Sequence, residues 1–240
     1  MSERRSWLIV PAHASDVVSR CEATDPDVIV LDLEYTVPPK HKAGARAGLG
    51  ELVKTLADKQ REVFVRIDRD ARWADVRAGV ARGIRGIVYP GPESADEVAD
   101  IDALIGECER ANGVEPGRTE IALVLESAKG FWNAAAIAQA SPRVTALGIG
   151  RAELQMQLGP LPQGEFRLYR YLMTRTVVAA RMLRKQPLGA HWRPGSRGGT
   201  ANADATAMAA REGRLMGFTG CLCVDAHQVQ PVNAAFGGAR

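Results

Sequence analysis

Short, nearly continuous apolar runs rich in Val and Ile alternate along the chain with longer stretches of helical periodicity rich in Ala. The runs predict strands at Trp7–Pro11, Val28–Leu33, Val63–Ile67, Gly86–Tyr89, Ile121–Leu125, Thr145–Ile149, Pro187–His191 and Gly220–Val224. Helical patterns fall between them at Ser15–Ala23, His41–Leu56, Trp73–Ala81, Ala95–Arg110, Ala128–Ala138, Phe166–Leu183 and Ala203–Met216. Strands apolar on both faces and separated by helices belong in a parallel sheet covered by helices, not in an antiparallel sandwich. Eight such strands in 240 residues fit an α/β fold with one domain, a single (β/α)8 TIM barrel over residues 1–240. A doubly wound open sheet is the alternative. Its usual G-x-G-x-x-G fingerprint after the first strand is absent, because that strand runs into Pro11-Ala12-His13-Ala14. No linker divides the chain. The loosest segments, Gly159–Gly164 and Arg193–Thr200, follow the sixth and seventh strands, where a barrel has its active-site rim.

Composition narrows the class. The chain is 46% hydrophobic and 25% charged, which excludes disorder, collagen-like repeats and coiled coil. No apolar run approaches the roughly 18 residues that span a bilayer, and the N-terminal apolar stretch is too short for a signal-peptide core. A cytoplasmic protein without a membrane partner is expected. Four cysteines include one C-x-C pair, Cys221 and Cys223, which share a strand face and read as core hydrophobes rather than a zinc or redox site. The net charge of +3 hides an asymmetry. Residues 141–240 hold 13 Lys and Arg against 5 Asp and Glu, and the first 140 hold 18 against 23. Much of the basic excess lies between Arg167 and Lys185, on a helix whose Leu168, Leu172, Val177, Val178 and Met182 give it an apolar face. That pattern suits a solvated or oligomer-facing helix, and no nucleic-acid partner is expected.

Barrels place their chemistry at the C-terminal ends of strands, and few polar residues occupy those ends. Strand two ends in Leu31-Asp32-Leu33-Glu34, with two carboxylates on one side; strand three ends in Arg66-Ile67-Asp68. Strand five ends in Glu126-Ser127, strand six leads to Gly150-Arg151-Ala152-Glu153, and strand eight to Asp225-Ala226-His227. A lone strand-end acid is often only a first-turn helix residue favoured by the helix dipole. Several converging with an arginine are different, because carboxylates held close repel unless a cation or proton neutralises them. An oxygen-only set of Asp32, Glu34, Glu126 and Glu153 suits Mg²⁺ or Mn²⁺ rather than zinc. Arg66 beside it suits bidentate capture of a substrate carboxylate.

The strings Trp7-Leu8-Ile9-Val10-Pro11, Val28-Ile29-Val30-Leu31-Asp32-Leu33-Glu34 and Val65-Arg66-Ile67 resemble the citrate lyase beta-subunit-like branch of the HpcH/HpaI aldolase family. So do Glu93-Ser94-Ala95, Leu125-Glu126-Ser127-Ala128-Lys129-Gly130, Ser141-Pro142-Arg143-Val144, and Cys223 followed by Gln228-Val229-Gln230-Pro231-Val232-Asn233. The resemblance implies a TIM barrel and a Mg²⁺-dependent carbon–carbon lyase, acting on a small hydroxy- or oxo-acid or its CoA thioester through a metal-stabilised enolate. It implies metal ligation by Glu126 and Glu153, catalytic roles for Arg66, Glu34 and Asp32, and substrate binding by Arg66 and Asp225. It also implies a homo-oligomer, a trimer or hexamer.

The sequence departs from the family pattern at several points. Glu153 stands where an Asp is usual, Tyr35 where a carboxylate follows L-D-L-E, Gly91 where a lysine follows the fourth strand's proline, and Asp225-Ala226 where His-Pro is usual. The chain ends at Arg240, so the C-terminal lid segment of CoA-thioester lyases is expected to be lacking. These departures admit the alternative of a non-catalytic homologue that binds an oxo acid or acyl-CoA.

Overall fold

Along each strand, alternate side chains face opposite ways. One set fills the inside of a closed barrel and the other meets the surrounding helices. The computed structural model describes residues 4–150, 167–189 and 202–237. Its strands are β1 (Ser6–Pro11), β2 (Val28–Asp32), β3 (Val63–Arg66), β4 (Gly86–Pro90), β5 (Glu120–Leu125), β6 (Val144–Ile149), β7 (Gln186–Gly189) and β8 (Gly220–Cys223). Each pairs in parallel with its successor, and β8 closes on β1, in the order β1 to β8. This is a (β/α)8 TIM barrel. The predicted extension of strand seven to His191 lies outside the described residues.

The inner layer comprises Trp7, Ile9, Val28, Val30, Phe64, Val88, Ala122, Val124, Ala146, Leu188 and Leu222. The intervening residues, among them Leu8, Ile29, Leu31, Val65, Ile87, Leu123 and Leu147, pack outward against the helices. Cys221 and Cys223 belong to that outer layer, and all four cysteines are buried free thiols.

The helices among the described residues are α1 (Val17–Thr24), α2 (Pro39–Asp58), α3 (Arg72–Gly79), α4 (Ala95–Asn112), α5 (Ala128–Trp132), α6 (Ala134–Gln139), α7 (Arg167–Met182), α8 (Ala203–Met216) and α9 (Val229–Phe236). Two differ from the pattern reading. The stretch expected as one helix over Ala128–Ala138 divides at Asn133, whose side-chain amide leaves the helix to donate to the Glu93 carbonyl at 2.9 Å. The helix α9 was not expected. Its Pro231 sits in the first turn, where a missing N–H costs little, and Val229 and Val232 are buried beneath it. No helix among the described residues is long and apolar enough to cross a membrane.

The N-terminal end of the barrel is closed by charge. Arg4 donates two hydrogen bonds to Glu120, at 2.7 and 3.2 Å, and its Nε lies 2.5 Å from Glu62. Arg85 also pairs with Glu120, and the Thr145 hydroxyl donates to it at 2.8 Å. The Arg4 guanidinium lies over Trp7 and Phe64, 5.7 and 5.2 Å from the ring centroids. Burial works to raise the Glu120 carboxyl, but hydrogen bonding and charge from Arg4, the Thr145 hydroxyl and Arg85 outweigh it and hold the pKa below the usual glutamate value. A depressed folded pKa stabilises above the unfolded value and loses that stabilisation as pH falls through the folded value. Glu120→Gln is therefore expected to cost about 3 kcal/mol at pH 7, by leaving Arg4 and Arg85 undercompensated. Denaturant melts repeated downward from about pH 4.3 should show the gap to wild type shrinking as Glu120 protonates. A gap constant with pH would contradict the assignment.

Candidate active site at the barrel mouth

The pairing register aligns Asp32 of β2 with Arg66 of β3, so both reach the mouth in one layer. Asp32 is fully buried, and its oxygens accept from the Glu34 amide (3.0 Å), the Thr36 amide (2.7 Å) and the Thr36 hydroxyl (2.6 Å). A carboxylate with three such donors fixes the turn after β2. That turn delivers Glu34 to Arg66, and the two form a close ion pair through Nη2. The same guanidinium lies 3.9 Å from Asp32 Oδ1 through Nε and 3.7 Å from Glu126 Oε1 through Nη2. Glu126 directly follows β5.

Space for Glu126 is made by the neighbouring strand ends. The Gly150 amide donates to the Leu125 carbonyl at 2.8 Å, bringing the end of β6 hard against Glu126. A Cβ at position 150 would lie 2.5 Å from Glu126 Cγ and 2.8 Å from Oε1, closer than real contacts allow. On the other side Gly91, with φ of 62°, follows β4, and a Cβ there would lie 3.3 Å from Glu126 Oε2.

Four of the sequence-predicted residues, Asp32, Glu34, Arg66 and Glu126, thus meet at the mouth. Asp225 does not join them. It opens the turn after β8, where it shares a capping box with Gln228 and lies 3.0 Å from His227 Nδ1. Glu153 and Arg151 lie outside the described residues. The strand-end search missed Arg69, three residues beyond Arg66, and it read Glu93 only as part of a motif. The carboxyl of Glu93 is held below its usual range chiefly by the Ser127 hydroxyl; burial opposes this, and Arg69 and Lys129 add to it. A separate cavity of about 360 Å³ lies between the loop after β1 and the start of α2, beside the stacked rings of His13 and His41.

An eight-stranded parallel barrel with an arginine and carboxylates at its strand C-termini is the arrangement of the TIM-barrel enzymes. Residues 5–226 match the HpcH/HpaI aldolase/citrate lyase family, and the chain belongs to it. It is 34% identical over 153 residues to the citrate lyase subunit beta of Haemophilus influenzae, covering 62% of this chain and 53% of that protein. It is 32% identical over 164 residues to the L-malyl-CoA/beta-methylmalyl-CoA lyase of Cereibacter sphaeroides strain ATCC 17025, covering 65% of this chain and 50% of that one. The aligned region spans about half the length of these relatives. In fold it is similar to the CitE protein of Mycobacterium tuberculosis in complex with magnesium and pyruvate. The TM-score is 0.76 at 23% identity, over 98% of this chain and 91% of that chain.

The crowding at Gly150 gives a direct test of this geometry. Gly150→Ala should push Glu126 out of place at a cost of about 1–3 kcal/mol, leaving the barrel's circular dichroism unchanged. A thermal melt should then show the loss; a melting temperature equal to that of wild type would mean that Glu126 is not confined as described.

Proposed function

We propose that this chain is a Mg²⁺-dependent carbon–carbon lyase that cleaves a small hydroxy- or oxo-acid, free or as its CoA thioester. The observation that carries the reading is the gathering of Asp32, Glu34 and Glu126 around the Arg66 guanidinium. The relatives named as citrate and malyl-CoA lyases support it, as do the magnesium and pyruvate of the Mycobacterium tuberculosis protein.

The donor chemistry fits a hard divalent cation, since every candidate ligand is a carboxylate oxygen. No group of three or more His, Cys, Asp or Glu able to hold a metal occurs among the described residues. Glu126 therefore needs a further carboxylate, for which Glu153 is our candidate, with Mn²⁺ as the alternative ion. When bound, the cation supplies Lewis-acid polarisation of the substrate oxygen that gains charge as the carbon–carbon bond breaks.

The protein groups divide the remaining work. Arg66 holds the substrate carboxylate through its planar fork of N–H donors. Glu34, with 22% of its side chain exposed against 12% for Glu126, is the carboxylate placed to take the hydroxyl proton at its Oε atoms. The oxygens of Asp32 already accept three hydrogen bonds from the turn after β2, and its work is to position Glu34. Asp225 is our candidate for a further substrate contact from the end of β8.

For self-association we propose α7. There Leu168, Tyr171, Val178 and Met182 are exposed, beside the exposed Trp132, over which Arg175 lies at 5.6 Å. A trimer or hexamer burying this stripe should dissociate in Val178→Asp, and light scattering on the wild type at tens of micromolar should give more than a monomer's mass.

The reaction is tested by incubating the protein with Mg²⁺ and malyl-, citramalyl- or citryl-CoA, or 4-hydroxy-2-oxo acids. Release of pyruvate, glyoxylate, oxaloacetate or acetyl-CoA is expected, with Arg66→Ala and Glu126→Ala each lowering kcat/KM by about a hundredfold or more. Oxo-acid binding that depends on Arg66 without any product release would replace the lyase reading with that of a binding protein.

A further inference from the structure

Arg69 stands in the loop after β3, and its two terminal nitrogens have different surroundings. Its Nη2 faces α4 and the loop before it, 3.9 Å from Glu93 and 3.8 Å from Glu97, both beyond hydrogen-bond length. Glu93 is shared with Lys129, whose Nζ lies 3.6 Å from the same oxygen. Arg69 Nη1 lies on the other side, over Gly91. A Cβ at position 91 would be 3.3 Å from that nitrogen and 3.6 Å from Arg69 Cδ, so the guanidinium occupies volume that any side chain at 91 would claim. The same point lies 3.3 Å from Glu126 Oε2, while the other oxygen of Glu126 lies 3.7 Å from Arg66 Nη2. The space over Gly91 is therefore shared by Arg69 Nη1 and Glu126 Oε2, while Arg66 lies toward the other carboxylate oxygen. Arg66 is mostly enclosed, with 13% of its side chain exposed; Arg69, at 39%, is open to an incoming group.

We propose that Arg69 is a second anion anchor and makes the site selective for hydroxy- or oxo-acids that carry a second carboxylate. The inference rests on the reading of Arg66 as holder of the first carboxylate. A monocarboxylate engages Arg66 alone. A dicarboxylate also reaches Nη1 of Arg69, which the protein presents at the mouth while α4 and the loop before it hold Nη2. A loosely paired, accessible guanidinium gains more from such a ligand than one saturated by the protein, because forming the new charge-assisted hydrogen bonds breaks none to a protein carboxylate.

The alternative is that Arg69 only ties the loop after β3 to α4, in which case its loss would lower stability without changing ligand preference. L-malate and L-lactate separate the two, since they differ in a second carboxylate. Calorimetric titrations with each, at saturating Mg²⁺, are run on the wild type, Arg69→Gln, Arg69→Lys and Arg66→Gln, with a thermal melt of every protein. We expect Arg69→Gln to bind malate about tenfold more weakly, to keep lactate affinity within about twofold, and Arg69→Lys to recover part of the loss. A malate-to-lactate ratio unchanged in Arg69→Gln, while Arg66→Gln loses both ligands, overturns the role of Arg69 and leaves that of Arg66 standing. A wild type that binds neither acid overturns both.

Discussion

The Arg4–Glu120 contact closes the lower end of the barrel, and the character of the upper end follows from that closure. Inside a parallel barrel the side chains sit in stacked layers with no solvent between them. Here the layers run from Trp7 and Phe64 to the smaller Val88, Ala122, Val124 and Ala146. Polar atoms can persist only at the two ends. At the floor the charges match, with Glu62 and Glu120 against Arg4 and Arg85, and the aromatic faces of Trp7 and Phe64 take the Arg4 cation from above. A matched set of this kind adds little net stability, but breaking it leaves the enclosed Arg4 without its partner. The floor's charges are thus balanced two against two.

The mouth is built on the opposite principle. Three carboxylates lie around Arg66, and one of them, Asp32, is fully buried. Asp32 tolerates burial because three donors from the next four residues neutralise it locally. It is thereby spent as a reactive group, and the turn it fixes is what brings Glu34 to the arginine. Structure and chemistry are divided between two acids that the Leu31-Asp32-Leu33-Glu34 string presents as equivalents.

How far the sequence discloses all this depends on the range of the force involved. The eight strands are legible because burial on both faces demands runs of Val, Ile and Leu, and that demand is local. Arg66 and Glu126 are legible for the same reason: the apolar run stops, and the next inward position lies at the mouth. The break at Asn133 is not legible, because it depends on a carbonyl forty residues earlier in the chain. The helix Val229–Phe236 is hidden by Pro231, which reads as a breaker unless the first turn is already located. Arg69 is hidden because its importance comes from a glycine on the adjacent strand end. The pairing of Asp32, Glu34 and Glu126 with one guanidinium was legible as convergence, but the division of their labour required hydrogen bonds that no spacing encodes.

Glu126 shows how the barrel turns backbone economy into site geometry. Strand order makes β4 and β6 the neighbours of β5, and each is followed beside Glu126 by a glycine, Gly91 on one side and Gly150 on the other. The two glycines work differently. At Gly150 the strand backbone itself crowds the Glu126 stem, so that a methyl group would collide with it. At Gly91 the absent side chain leaves a space that the Arg69 guanidinium occupies from β3, one strand further round. The carboxylate is therefore confined by backbone on the Gly150 side and shares the space over Gly91 with the Arg69 guanidinium. A side chain at Gly150 would collide with Glu126, and one at Gly91 would crowd both Glu126 and Arg69, so the placing of this acid depends on two glycines it never bonds to.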